Sequence, residues 1–140
     1  MSSRSSLDLD AIRARRISRE KRVRWMKHSY GEEGGNAIMR ENPGDFLTWE
    51  EQERRILAAQ ERFEDIKAAI AAMPPLDKIK QVMMTLKAEM TPEEEHIPED
   101  LLRCSMHCGK DYRTRYTLFK LMDECGLLED YLADYPYPFE

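Results

Sequence analysis

The stretch from Lys110 to Thr117 contains the residue types in this sequence that are best suited to bind an anion. Two arginines, Arg113 and Arg115, alternate with aromatic and hydroxyl side chains, and Tyr116 follows directly. A guanidinium group binds a phosphate or a carboxylate in a forked geometry, so these side chains could hold either group. The same residues could instead fix helix ends, through arginine–carbonyl bonds and buried tyrosines. On residue types alone, we favour this structural interpretation.

A second group of residues has the chemistry of metal ligands. Cys104, His107 and Cys108 fall at positions i, i+3 and i+4 of a predicted helix. They could hold zinc if His96 or Cys125 completed a tetrahedral site. The spacing is not that of a paired zinc knuckle, however, and free cysteines are among the most frequently buried residues. We therefore interpret the cysteines as structural and assign no metal ligand.

Acidic residues occur in pairs and runs that could supply acid–base catalysis. These are Glu50-Glu51, Glu93-Glu94-Glu95 and Glu129-Asp130. None of them stands in the apolar surroundings that raise the pKa of a catalytic carboxyl group. We predict that they cap helices or lie on solvated faces, and we identify no catalytic residue.

Length and composition exclude several classes of protein. The chain has 140 residues with a net charge of −5, and 35 % of its residues are charged, against roughly 25 % in typical globular domains. It contains no run of about 18 apolar residues that could span a membrane. Its few glycines do not form the signature of a Rossmann unit, a P-loop or a serine-hydrolase elbow. Three cysteines and no secretion signal predict reduced thiols and a cytoplasmic protein.

The charge is distributed unevenly along the chain. Residues 1–30 carry nine basic and three acidic side chains, which gives this segment a charge of +6 and the other 110 residues −11. A basic helix of this kind could bind nucleic acid or an anionic membrane. Its cations surround the helix instead of forming one stripe, and the rest of the chain would repel phosphates. We therefore expect them to meet acidic helices of the same domain or of a larger assembly.

Local signals predict a first long helix in this basic segment. Asp8 or Asp10 can cap its start, and the helix is predicted to reach about Tyr30. Gly31 then supplies a left-handed residue at which a helix can stop. The first half of this helix has few apolar residues, so we expect it to project from the domain.

The strongest helix signal follows Thr48. Thr48 and Glu51 form a capping box, and Pro74-Pro75 ends the predicted helix. Between them, apolar residues repeat with heptad spacing, at Trp49, Ile56, Phe63 and Ile70 and, in the offset positions, at Ala59, Ile66 and Met73. This seam could pair with a coiled-coil partner, but we favour packing inside the domain.

Further helical patterns complete an all-α domain of five to seven helices without a convincing strand. They cover Leu76–Leu86, the stretch from Ile97 towards Cys108, a segment ending at Gly126, and a last short helix near Leu128. We divide the chain into an N-terminal extension (1–18) that leads into the basic helix, a helical domain (19–132) and an extended Pro/Tyr tail (133–140).

Several segments occur in an order that is typical of a known family. They are an Arg-rich helix ending in Tyr30-Gly31, the segment Arg62-Phe63-Glu64-Asp65-Ile66-Lys67, Met73-Pro74, Met90-Thr91-Pro92-Glu93-Glu94, Lys110–Thr117 and Gly126-Leu127-Leu128. From about Arg19 to Leu132 this order resembles the C-terminal helical region of sn-glycerol-1-phosphate dehydrogenases. These enzymes belong to the superfamily of iron-dependent alcohol dehydrogenases, glycerol dehydrogenases and dehydroquinate synthase-like proteins. Where the family has a motif close to Ile-Arg-Asp-Arg-Tyr-Thr, this chain has Tyr112 and Thr114 in place of the isoleucine and the aspartate.

The resemblance implies a helical domain that closes over an active-site cleft. In the complete family enzyme, an N-terminal Rossmann-like domain binds NAD(P), and a zinc, nickel or iron ion polarises the carbonyl of dihydroxyacetone phosphate. The family's metal ligands lie upstream of the matched region, so no cofactor or metal residue transfers to this chain. Only Arg113, Arg115 and Tyr116 match a family motif, and they are the candidate substrate-cleft residues.

Two functional hypotheses follow. In the first, the chain is the cleft-closing portion of such a dehydrogenase, truncated or paired with an N-terminal nucleotide-binding half or another copy, and inactive alone. It predicts a cleft-facing surface at Arg113–Tyr116. In the second, the chain is a stand-alone helical interaction or regulatory protein derived from that domain. It docks a partner through the Trp49–Met73 seam or the basic helix, and it predicts a self-contained core beside an exposed apolar seam.

Overall fold

The computed structural model describes residues 7–42 and 47–139, and it is all-helical as predicted. Helices cover 66 % of the described residues, and none of these residues forms a strand. The α-helices are α1 (Leu9–Ala14), α2 (Arg19–Glu41), α3 (Trp49–Glu61), α4 (Phe63–Ala71), α5 (Leu76–Thr85), α6 (Glu99–Cys108), α7 (Leu118–Glu124) and α8 (Leu128–Tyr131), with a 3-10 helix at Gly109–Asp111.

The predicted first helix is in fact two helices. The Asp8 carboxylate caps α1 as predicted, but the chain leaves the helix after Ala14. The hydroxyl of Ser18 then caps α2, which interrupts the expected continuous helix. The expectation that this region projects from the domain is wrong, because Ile12 is buried against Ile56 and Cys125.

α2 consists of two helical segments, and the first one ends at Gly31 as predicted. Its φ of 75° lies in the left-handed region that favours glycine, and the chain resumes the helix as far as Glu41. A Cβ on Gly35 would lie 2.9 Å from Cα of Lys27, so the two parts of α2 approach each other closely at this point. The helix stop predicted at Gly31 is therefore confirmed, and a second helical segment packs against the first one beyond it.

The predicted seam helix is interrupted at Arg62, and only its first half is buried. The capping box is confirmed, with Glu51 accepting the Thr48 N–H at 2.9 Å and its own N–H donating to the Thr48 hydroxyl at 3.3 Å. In α3, Ile56 is fully buried. In α4 and the residues after it, Phe63 and Met73 are exposed. The prediction that the seam packs inside the domain is therefore confirmed for α3 and wrong for α4.

The remaining helices pack into a small body. α2 packs against α6, and α3 packs against α7. One core cluster contains Trp25, Met26, Ile38 and Cys108, and a second contains Ile12, Ile56 and Cys125. α7 ends as predicted, since Gly126 has a φ of 69°. Counting α3 and α4 as one helix broken at Arg62, the described residues form seven α-helices, within the predicted number.

The C-terminal tail lies against α2. The ring of Tyr137 stacks on Trp25 at a centroid distance of 4.2 Å, and its hydroxyl donates to the Trp25 carbonyl at 3.0 Å. The ring of Phe139 covers His28 at 3.7 Å. The tail therefore adds aromatic packing to the first core cluster.

Two matched substitutions along the predicted seam test the division between buried and exposed halves. Ile56→Ala removes a side chain that is 0 % exposed, so we expect it to lower the free energy of unfolding by about 2–5 kcal/mol. Ile70→Ala removes a side chain that is 43 % exposed and should change it by less than about 0.5 kcal/mol. Urea unfolding in dilute solution, followed by circular dichroism, measures both. Equal losses in the two variants would contradict this division.

Candidate functional site

The candidate residues Arg113, Arg115 and Tyr116 lie on an exposed turn between the 3-10 helix and α7. The guanidinium of Arg113 lies over the ring of Tyr112 at 5.1 Å. The Tyr116 hydroxyl donates to the Glu124 carboxylate at 2.7 Å, and partial burial together with this carboxylate raises the pKa of that hydroxyl. Both tyrosines are more than half exposed, so the interpretation that they are buried is wrong.

A lysine fixes this turn. The Lys120 ammonium donates to the Arg113 carbonyl at 3.0 Å and is itself buried. Within the Lys110–Thr117 stretch, the buried side chains are Lys110 and Asp111 at its start. The stretch therefore does stabilise the fold, but it does so through Lys110 and Asp111 and not through its alternating arginine and tyrosine side chains.

Arg22, Lys110, Asp111 and Asp123 form a charge cluster between α2, the 3-10 helix and α7. The Lys110 ammonium lies 2.6 Å from the Asp111 carboxylate and 3.3 Å from that of Asp123. The Arg22 guanidinium lies 2.8 Å from Asp123 and 3.7 Å from Asp111. The two cations balance the two anions, as burial of charge requires.

The balance of this cluster depends on Asp123. Burial by itself raises the pKa of the Asp123 carboxyl, but the charges and hydrogen bonds of Arg22 and Lys110 outweigh burial and hold its pKa below the ordinary value of 3.8. The carboxylate is therefore charged at neutral pH and holds two cations from other elements together. Arg15 similarly pairs with Asp130 at 2.6 Å on the surface, so basic residues of α1–α2 do meet acidic helices of the same domain.

The cysteines are free, buried thiols of low reactivity. Burial raises the pKa of Cys108 and of Cys125 to about 11, so both thiols are protonated at neutral pH. His107 is also buried. Its Nε2 lies 2.8 Å from the Tyr135 carbonyl, and its Nδ1 lies 3.3 Å from the Glu129 carboxylate. This imidazole therefore links α6 to the C-terminal part of the chain.

The zinc alternative has no support in the described part of the chain. There, no group of three or more histidine, cysteine, aspartate or glutamate side chains is arranged to hold a metal ion. Cys104, His107 and Cys108 share one face of α6, but His107 faces a carbonyl and a carboxylate, and Cys125 belongs to the other core cluster.

The largest uncovered feature is an apolar arm, which we define as residues 63–86 (α4, α5 and their linker). Its apolar residues form heptad-spaced stripes, with Phe63, Ile66, Ile70 and Met73 on the first part and Leu76, Ile79, Met83 and Leu86 on the second. Neither helix contains a buried residue. Each large apolar side chain on these stripes is exposed except Ile66 and Met83, which are half-buried. The sequence indicated the stripe but not its exposure.

The apolar stripes form a surface at the upper end of what monomers usually expose. Six large side chains on the stripes are more than 40 % exposed, from Ile70 at 43 % to Leu86 at 71 %. At roughly 100 Å² for each half-exposed side chain, the stripes present about 600 Å² of apolar surface. The largest patches on monomers reach about 300–600 Å² and are often functional. The arm is therefore the strongest candidate for a functional surface.

Comparisons with known proteins do not identify the chain. No family model matches it, and neither the curated proteins nor the solved structures contain a significant match. Separately, none of the helices in residues 7–42 and 47–139 has both the length and the apolar character needed to cross a bilayer.

The charge cluster makes a prediction about stability and pH. Asp123→Asn leaves two cations facing one carboxylate, so we expect a loss of about 3 kcal/mol in unfolding free energy at pH 7. Because the folded-state pKa of Asp123 is lowered, its contribution is present above about pH 4 and is lost as the pH falls through the folded-state value. Urea unfolding at pH 7, 5 and 3 should show the difference between wild type and variant shrinking at the lowest pH.

The matched control is Asp130→Asn, which removes an equivalent carboxylate from an exposed ion pair with Arg15. We expect this variant to unfold nearly as the wild type does at all three pH values. A loss of unfolding free energy as large as that of Asp123→Asn would show that burial of the cluster is not the cause of the destabilisation.

Proposed function

We propose that this chain is a helical interaction protein whose apolar arm binds a second copy of the chain. The observation that carries the proposal is the pair of apolar stripes on α4 and α5, which no other described helix buries. Burial of apolar surface is the main driving force of protein association. A second copy of the chain carries the same exposed apolar stripes, so each copy can bury the stripes of the other.

The area of the stripes is close to that of a stable interface. A standard interface buries about 800 Å² on each partner, and the stripes supply about 600 Å² of apolar surface towards it. The stripes have the heptad spacing with which helices pack side by side, knobs into holes. Two copies can therefore bury their stripes against each other.

The charges on the arm suit contact between α4 of one copy and α5 of the other. α4 carries Glu64, Asp65 and Lys67, a net charge of −1, whereas α5 carries Asp77, Lys78 and Lys80, a net charge of +1. The two carboxylates of α4 form exposed ion pairs with Lys67 at 2.9 Å and with Arg62 at 3.1 Å, and such surface pairs are weak enough to exchange for lysines of α5. A two-fold axis brings both complementary pairs together, since an isologous interface uses each contact twice. Opposite charges at the rim of an apolar interface favour the correct pairing over others.

Sedimentation velocity tests this self-association. We expect the mass of the wild type to rise with concentration from 16.5 kDa towards twice that value. Ile70→Glu and Ile79→Glu place a charge on the stripes of α4 and α5, and each should weaken association by at least about tenfold. Leu127→Glu is the matched control, because Leu127 is 46 % exposed but lies outside the arm. It should leave the association constant unchanged.

Circular dichroism of the three variants should match that of the wild type, because each changes an exposed side chain. A wild type that stays monomeric at about 100 µM, well above the micromolar affinities typical of weak interfaces, would overturn the proposal. Association that all three variants weaken equally would also overturn it.

A second candidate function follows from the resemblance to glycerol-1-phosphate dehydrogenases. The chain would then be the cleft-closing helical portion of an NAD(P)-dependent oxidoreductase acting on dihydroxyacetone phosphate. The exposed turn at Arg113, Arg115 and Tyr116 favours this candidate, since these side chains are accessible to a substrate on an adjoining domain. The family's metal and cofactor ligands have no counterpart in the matched region, so we derive no catalytic step for the chain alone.

An absorbance assay tests the prediction that the isolated chain is not a catalyst. NADH, dihydroxyacetone phosphate and zinc or nickel are mixed with the protein, and the absorbance of NADH is followed. We expect no change above the protein-free control, because the chain lacks the groups that would position cofactor and metal. Turnover that depends on protein concentration would contradict this prediction.

A further inference from the structure

A cavity of about 590 Å³ lies where the start of the chain meets α3, α7 and α8. This volume falls within the range of about 300–1,000 Å³ that is typical of small-molecule sites. Both cations and carboxylates line it, so the ligand it suits depends on which charges already have partners.

The carboxylates on the cavity wall are already paired. Two of them belong to the charge cluster and face its cations. Glu124 accepts from the Arg55 guanidinium at 2.8 Å. Glu129 lies 3.3 Å from the His107 ring, and a neutral imidazole does not cancel its charge. Three of the four carboxylates on the wall are therefore balanced by cations of the protein, and Glu129 is the exception.

Two cations on the opposite side lack such partners. The guanidinium carbons of Arg13 and Arg16 lie 5.6 Å and 5.9 Å from the ring centroid of Trp49. Arg16 donates one bond to the Leu47 carbonyl, and neither arginine has a carboxylate partner in the part of the chain that the structure describes. A guanidinium carries five N–H donors, so most donors of this pair are available to a ligand.

The start of two helices also borders the cavity. Ser18 and Thr48, the N-caps of α2 and α3, both line it. These N-termini are already capped, since the Ser18 hydroxyl accepts from the Lys21 N–H and the Glu51 carboxylate accepts from the Thr48 N–H. The attraction for an anion therefore comes from the two arginines, whose guanidinium groups bind phosphate in a forked geometry.

We propose that this cavity binds a small phosphate monoester, with the phosphate held by Arg13 and Arg16. A monoester carries a charge of about −1.5 to −2 at neutral pH, which matches two guanidinium groups. The cavity volume leaves room for an organic group beside the phosphate, and the Trp49 ring lies next to the two arginines. Arg13 and Arg16 precede Arg19, so the two arginines lie outside the region that resembles the dehydrogenases, whereas residues of that region line the rest of the cavity. None of the lining residues belongs to the apolar arm.

Isothermal titration calorimetry with phenyl phosphate, inorganic phosphate and benzoate tests the site. We expect phenyl phosphate to bind more tightly than inorganic phosphate, because its ring adds apolar contact in the cavity. Benzoate should bind at least about tenfold more weakly, because it carries a single charge. No binding of phenyl phosphate up to about 10 mM would overturn the proposal. Equal affinity for benzoate would overturn the assignment to phosphate.

The double variant Arg13→Gln/Arg16→Gln should weaken phenyl phosphate binding by at least about tenfold. The matched control is Arg24→Gln/Arg54→Gln, which removes the same charge from exposed positions outside the cavity and should retain wild-type affinity. Thermal unfolding confirms that both double variants fold. Equal weakening in the two would show a general charge effect and would overturn the site.

Discussion

The carboxylate of Asp123, held between Arg22 and Lys110, is the interaction on which the packing of the helical body depends. It joins α7 to α2 and to the 3-10 helix that extends α6. Each of these charges loses water on burial, so the cluster stabilises the fold only when all its members are present. The body is small, and its two apolar clusters contain few fully buried side chains. In such a body, an incomplete charge cluster would offset a large share of the apolar stabilisation.

The small core does not extend to the arm. The buried apolar residues of α2, α3 and α6 pack in two clusters with residues of α1 and α7 and with the C-terminal tail. Beyond Arg62, α4 and α5 contain no buried residue. The chain thus combines a body that is closed by charge and aromatic packing with an arm whose stripes need a partner. This division supports an interaction role more directly than a catalytic one.

The basic N-terminal segment serves more than one purpose. Arg15 and Arg22 are neutralised by carboxylates of α7 and α8, which holds α1 and α2 against the C-terminal helices. Arg13 and Arg16 face Trp49 at the cavity and have no carboxylate partner in residues 7–42 or 47–139. A segment that looks uniformly basic in sequence is thereby divided into structural cations and cations available to a ligand.

The sequence by itself determined the features that depend on neighbouring residues. The capping box at Thr48 and Glu51, the left-handed residues at Gly31 and Gly126 and the all-helical class were predictable, because each rests on interactions within one or two turns. Tertiary structure alone decided which basic side chains have partners, since Arg22 and Asp123 are 101 residues apart and no local pattern links them. It also decided the exposure of the arm, because a heptad stripe forms the same helix whether its partner lies in the same chain or in another.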